Sequence, residues 1–268
     1  MIGLKLRYRP QSSQADMTSR PHRSASTGPS TRLYVASDLA DGATHACDAD
    51  QTNYLAGVLR LDVGAEILLF NGRDGEWLAA VAELGRRACV LTVSKRVRPQ
   101  SAGPDLHYLF APLKRSRLDY MVQKATELGV ALLQPVMTRR TQAERVNLER
   151  MRANAIEAAE QCGVLRLPEV AETGKLERVL AGWDPARRLI FCDEAADIKS
   201  PLDALAALRP GPLAVLIGPE GGFTVEERDG LAKLPFVTRI SLGPRIMRAD
   251  TAAVAALSLV NAALGDWR

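Results

Sequence analysis

Apolar positions along this chain change their period at two places. Residues 1–31 show no sustained period. Then RLYVAS has the character of a short strand, and NYLAGVLRL puts Leu55, Val58 and Leu59 near one helical face. VGAEILLFNGRDGEWLAAVAEL follows as two strand-like runs around a Gly-rich turn. The Asn71-Gly72 pair predicts a tight hairpin there, because both residues tolerate the positive φ such a turn demands. RRACVLTVSKRVRP adds a β run that ends in Lys95, Arg96 and Arg98. Residues 32–99 therefore read as a small β-rich module, and PQSAGPD (99–105) as a linker.

Beyond the linker, strand and helix patterns alternate. HYLFAPL, ALLQPVM, RLIFCDE, LAVLIGPE and TRISLG are short apolar runs of strand length. Between them RLDYMVQKATELG, stopped by Gly129, and ERVNLERMRANAIEAAEQCG, LDALAAL and VEERDGLAKL carry helical spacing, and an Ala-rich helix closes the chain. Such alternation predicts an α/β unit over 106–268, with a mainly parallel sheet covered on both faces.

The composition, 47% hydrophobic and 25% charged over 268 residues, is that of an ordinary globular protein. No apolar run approaches the ~20 residues a membrane helix requires. The net charge of +4 resides in residues 1–31, where Lys5, Arg7, Arg9, Arg20 and Arg23 face Asp16 alone. The remainder is balanced, so any nucleic-acid contact must come from local patches. Residues 1–31 fit a disordered basic tail, an organelle transit peptide or a start that truly lies at Met17. Four cysteines and three histidines are scattered without ligand spacing, which predicts no metal site and reduced thiols in the cytoplasm.

Ligands of open α/β sheets bind beyond the carboxyl ends of the strands. Two successive strand ends here are Gly-rich, LIGPEGGFT and LGPRIMRAD. Neither G-x-G-x-x-G nor G-x-x-x-x-G-K-[ST] occurs, which disfavours a standard dinucleotide fold or P-loop. Gly218, Gly221, Gly222 and Gly243 let the backbone turn sharply and approach a flat ligand. As plain structure, Thr224-x-x-Glu227 predicts a capping box, and Asp250 a cap on the last helix.

LIGPEGGF (216–223) and LGPRIMRADTAAVAAL (242–257), in this order and spacing, resemble the signature of the RsmE family, small-subunit rRNA uridine-N3 methyltransferases of the SPOUT class. NYLAGVLRL and FNGRDGEW resemble that family's PUA-like RNA-binding β-barrel; PLKRSRLDYMVQKATELGV and NAIEAAEQCGVLRLPEV resemble its central segments. The likeness runs from about Arg32 to the C-terminus. It implies a SPOUT α/β domain with a deep trefoil knot, a homodimer, and S-adenosylmethionine as methyl donor without a metal. The implied cofactor contacts are Leu216, Ile217, Gly218, Glu220 and Gly222 on one loop, with Leu242, Gly243, Arg245, Ile246 and Met247 on the other.

The substrate implied is 16S rRNA, read as the folded 30S subunit. Neutral uracil N3 has no free lone pair, so its proton must leave before or during methyl transfer, and a positioned carboxylate serves that purpose. Asp250 and Glu220 are the candidates, with Arg248 expected to orient the uracil or stabilise its anion. The family commonly has Arg-Thr-Glu-Thr where this chain has Arg248-Ala249-Asp250-Thr251, a shorter carboxylate without the neighbouring hydroxyl. Alternatives are a SPOUT enzyme acting on a ribose hydroxyl or tRNA base, and a non-catalytic RNA-binding assembly factor. Basic groups placed to hold phosphates are Arg60 and Arg73 in the first module and Lys114, Arg115 and Arg117 in the second. Arg139 and Arg140 form a further pair after a strand. An aromatic content of 5% leaves little for base stacking, so RNA shape is the expected cue.

Overall fold

The computed structural model describes residues 31–85, 88–142, 145–197 and 200–267. Readings offered for the N-terminal tail lie outside them, except for Thr31, whose carbonyl already accepts a hydrogen bond from Leu68.

Two sheets organise the chain. The first holds β1 (Arg32–Tyr34), β2 (Thr44–Ala46), β3 (Glu66–Phe70), β4 (Glu76–Leu84) and β5 (Cys89–Arg98), ordered β1-β3-β4-β5-β2. β1 runs parallel to β3, and the other pairs are antiparallel. Alternate residues of these strands (Ile67, Leu69; Ala79, Val81; Leu91, Val93) point into one core with Leu33 and Leu55, as a period of two dictates.

Two local expectations need correction. The β3–β4 connection is not a two-residue turn but the five residues 71–75. Of the Asn71-Gly72 pair only Gly72 takes positive φ. Asn71 instead organises the loop through its Oδ1, which accepts from the N–H groups of Arg73 and Asp74, both at 2.9 Å. NYLAGVLRL does not share one buried face either. It follows α1 (Ala49–Thr52) as a π-helical stretch, Asn53–Val58, in which Leu59 N–H reaches back to Tyr54 C=O. The wider winding buries Leu55 but leaves Val58 63% exposed.

The second sheet, wholly parallel, uses β6 (Leu106–Phe110), β7 (Leu132–Met137), β8 (Glu169–Val170), β10 (Arg188–Cys192), β11 (Leu213–Ile217) and β12 (Val237–Ile240), with the two-residue β9 (Gly174–Lys175) beside β7. Its order is β12-β10-β11-β6-β7-β8. The helices are α2 (Arg115–Glu127), α3 (Leu148–Cys162), α4 (Leu176–Ala181), α5 (Pro201–Ala206), α6 (Val225–Ala232) and α7 (Ala249–Leu264). One face packs α2, α3, α5 and α7 over Tyr108, Phe110, Val215 and Ile217. The other packs α4 and α6 over Leu109, Phe191, Ala214 and Leu216. This is the doubly covered sheet that continuous apolar strands require. The long third helix begins at Leu148, where the Asn147 side chain caps it by accepting from Arg150 N–H at 2.9 Å. Gly129 takes positive φ just past α2, as its stop signal implies.

The sheets meet at the end of α3. Arg32 projects from β1 to the Ala159, Glu160 and Val164 carbonyls while its Nε pairs with Glu76 at 2.6 Å. Arg98 engages the same carboxylate and also the Gly163 carbonyl. Phe70 packs with Ala159 and Leu165 beneath them. Burial pushes the Glu76 carboxyl up, but Arg98 and Arg32 together outweigh it and hold the group below the usual carboxylate range.

Candidate functional site

The two Gly-rich loops converge. They enclose a cavity of about 270 Å³ at the carboxyl ends of β10, β11 and β12. β10 lies between β11 and β12, so loops from its two neighbours face each other across its end. On the wall are Ile217, Gly218, Glu220 and Gly222 from the first loop, with Leu242, Gly243, Arg245, Ile246, Met247 and Arg248 from the second.

Leu216 does not line this cavity. Side chains alternate along β11, and Leu216 is fully buried on the opposite face with Phe191 and Phe223.

Local sequence explains the first loop. Thr224 accepts from Glu227 N–H at 3.2 Å, and the Glu227 carboxylate accepts from Thr224 N–H at 2.9 Å. This capping box fixes the start of α6 and thereby the loop's exit. Phe223 turns inward and meets Phe191 edge-on, ring centres 5.0 Å apart. A Cβ on Gly218 would collide with the Phe223 ring, and one on Gly222 would lie 3.0 Å from Glu194 Oε1. Gly218 is required for space, and Gly222 for its positive φ, since the exposed Glu194 side chain could give way.

The second loop ends on α7, whose capping position is occupied by Arg248, not Asp250. Arg248 provides no side-chain cap. Asp250 is the second residue of the helix, 4% exposed. Its Oδ1 accepts from Thr251 N–H at 2.9 Å and its Oδ2 from Arg248 Nη2 at 3.1 Å. Arg248 is otherwise open, its side chain 69% exposed. Ile246 is fully exposed at the rim.

Several wall residues were not singled out from sequence. Cys192, Asp193 and Glu194 close the end of β10, and Arg228 comes from α6. The Asp193 carboxylate is buried and accepts from Arg239 at 2.6 Å, from Ala195 N–H at 3.0 Å, and pairs with Arg228 at 3.4 Å. That contact is made by Arg228 Nε, which among the described residues has no hydrogen-bond partner. Burial pushes the Cys192 thiol up to about 12, so it is neutral at pH 7 and no nucleophile. The signal for Asp193 and Glu194 is an acidic pair directly after the apolar run Leu189 to Cys192.

Among the proposed phosphate contacts, Arg117 is tied to the cavity wall through Glu220, with which it is ion-paired, Nη2 to Oε2 at 3.2 Å. Lys114 and Arg115 are exposed at the start of α2 beside it. Arg140 steadies the same loop by donating to the Gly221 carbonyl at 2.9 Å. Arg60 and Arg73 belong to the first sheet's module. Arg60 is exposed at positive φ, and Arg73 pairs with Asp38 at 2.7 Å. Among the described residues no group of His, Cys, Asp and Glu is arranged to hold a metal, and no helix is long and apolar enough to cross a membrane.

A family model described as an RNA methyltransferase domain matches residues 99–261, and one described as an RNA methyltransferase PUA domain matches residues 47–94. The chain belongs to the ribosomal RNA small subunit methyltransferase E family. The member from Rickettsia conorii is 31% identical over 232 residues, 86% of this chain and 94% of its own. That from Synechocystis is 32% identical, over 87% of this chain and 78% of its own. Among solved structures, a protein of Legionella pneumophila in complex with S-adenosylmethionine superposes with a TM-score of 0.77 at 28% identity, covering 88% of this chain and 98% of that one. The family member from Neisseria gonorrhoeae, bound to S-adenosylmethionine, gives 0.76 at 25% identity over 89% and 99%. The fold is thus α/β with an N-terminal PUA domain and an RNA methyltransferase domain, the organisation that the resemblance implied.

Proposed function

We propose that the protein transfers a methyl group from S-adenosylmethionine to N3 of a uridine in 16S rRNA, acting as a cytoplasmic homodimer on the assembled 30S subunit. The observation that carries this reading is the convergence of both Gly-rich loops on one cavity. Its features suit the donor. Glycines leave the backbone bare on both walls, and carboxylates of Glu194 and Glu220 face a space that must hold a cationic ligand. The cofactor, when bound, supplies a methyl group activated by its positive sulfur.

The residues of the chain divide the remaining work. Ile217, Leu242 and Met247 present apolar wall, and Gly218, Gly222 and Gly243 present backbone. Arg248, exposed at the amino end of α7, donates to a uracil carbonyl and stabilises the anion left when N3 loses its proton. Asp250 serves as the anchor that orients Arg248, since both its oxygens are already engaged. Glu220, which stands on the cavity wall where Asp250 does not, is the carboxylate assigned to receive the N3 proton once its ion pair with Arg117 opens. Lys114, Arg115 and Arg117, with Arg60 and Arg73 from the PUA-like barrel, hold phosphates. The trefoil knot, with a domain division at 32–99 and 106–268, belongs to the same reading; successive loops pressed against one cavity across β10 are what a threaded chain would produce.

The test is methyl transfer from labelled S-adenosylmethionine to purified 30S subunits and to naked 16S rRNA, with Arg248→Ala alongside. The expected result is transfer to 30S, and a loss of about 10²–10³ in kcat for the variant with cofactor affinity retained. Wild-type turnover by Arg248→Ala would remove its assigned role.

A further inference from the structure

The Arg117–Glu220 ion pair joins two groups with different tasks. Arg117 lies in the first turn of α2, beside the exposed Lys114 and Arg115. Among the described residues that helix end has no side-chain cap, so the N–H groups of Arg115 and Ser116 add to an already positive surface. Glu220 belongs to the cavity wall. The residues are 103 positions apart in sequence. They meet because β6 and β11 are parallel neighbours, with Phe110 opposite Ile217, so the segments that follow both strands leave the sheet side by side. Among the described residues neither group has another charged partner.

We propose that Arg117 is a positioning residue: it holds Glu220 neutralised until an RNA phosphate at the start of α2 takes its guanidinium and releases the carboxylate to the cavity. The exchange is favoured on physical grounds. The pair is half-exposed, with side-chain exposures of 24% and 42%, so water and salt weaken it. A phosphate offers the same planar fork two charge-assisted bonds and also meets Lys114, Arg115 and the helix end. Once free, the Glu220 carboxylate stands in a cavity whose ligand is cationic, and cofactor affinity rises. Arg140, bonded to the Gly221 carbonyl, keeps the loop in place while Arg117 changes partner. RNA and cofactor binding are then coupled, and each strengthens the other by the same factor.

This inference rests on the proposed function, but its test separates the two. S-adenosylmethionine affinity is measured by calorimetry for the full chain and for Arg117→Gln, Arg117→Lys and Glu220→Gln. Each is titrated with and without an RNA hairpin carrying a uridine loop, and hairpin binding is followed independently by fluorescence anisotropy. In the wild type the hairpin tightens cofactor binding about fivefold, the low end for coupled sites. Arg117→Gln binds the cofactor more tightly than wild type without RNA and no longer responds to it. Arg117→Lys, which keeps the charge, still responds. Glu220→Gln binds weakly and does not respond. If Arg117→Gln without RNA binds the cofactor no better than wild type, or Glu220→Gln still responds to bound hairpin, the inference fails. Absence of cofactor binding by the wild-type protein would instead remove the function on which it rests.

Discussion

Gly218 shows how a single position shapes the cavity. The ring of Phe223 fills the volume a Cβ would take, and that ring is itself held edge-on by Phe191. Gly218→Ala must push Phe223 out of the core, which costs about 1–3 kcal/mol. It also shifts the loop that carries Glu220. The expected outcome is a lower urea midpoint together with weaker S-adenosylmethionine binding by calorimetry; unchanged binding would mean that the loop does not grip the ligand. At this scale the sequence was informative about glycine and less so about charge. The Gly-rich runs stood out because few residues tolerate such turns. Asp193 and Arg228 did not, because an acid after a strand and a basic residue on a helix look like solvated surface. Only the fold shows that Asp193 is buried between Arg239 and Arg228. The sequence offers Asp250 as a cap or as a base; the loop places Arg248 at the capping position and turns the carboxylate inward to meet it.

Elements with a sustained period were legible: β6, β7, β10, β11 and β12, with α2, α3, α5, α6 and α7, fall where the apolar spacing puts them. Two- and three-residue strands such as β2, β8 and β9 have no period to read and exist only because a neighbouring strand pairs with them. The short α4 was missed for a similar reason. The amino end of β6 also carries a pH-dependent contribution. His107, half-buried there, has its pKa pushed down to about 4, chiefly by burial and then by Arg187, against the opposing pull of Asp105. Because the folded value lies below the ordinary 6.5, the unfolded chain binds more protons between pH 6.5 and about 4. Stability from this group is therefore present above that window and lost as pH falls through it. Urea midpoints measured across that range should fall less steeply for His107→Gln than for the wild type. Equal slopes would show that His107 is not responsible.

At the scale of the molecule, one buried cluster joins the PUA module to the methyltransferase unit. Arg32, with its side chain 8% exposed, ties β1 to carbonyls in the last turn of α3 and just past it, and to Glu76, which is itself 4% exposed. Nothing in the sequence marked Arg32, since a lone arginine at a strand start has no pattern. Arg32→Ala leaves Glu76 only partly compensated in a buried place, at a cost of about 3 kcal/mol. It also loosens the angle between the modules. Methyl transfer to 30S subunits should fall mainly through KM for RNA, with cofactor affinity unchanged. A fall in kcat alone would assign Arg32 a different part. The central claim, that this fold modifies N3 of uridine in 16S rRNA, is tested most directly by nucleoside mass spectrometry. Undermethylated 30S subunits are incubated with the protein and S-adenosylmethionine, and their 16S rRNA is digested to nucleosides. A gain of N3-methyluridine that depends on both additions is the predicted result. A product methylated on ribose or on another base, or no methylated product at all, would contradict it.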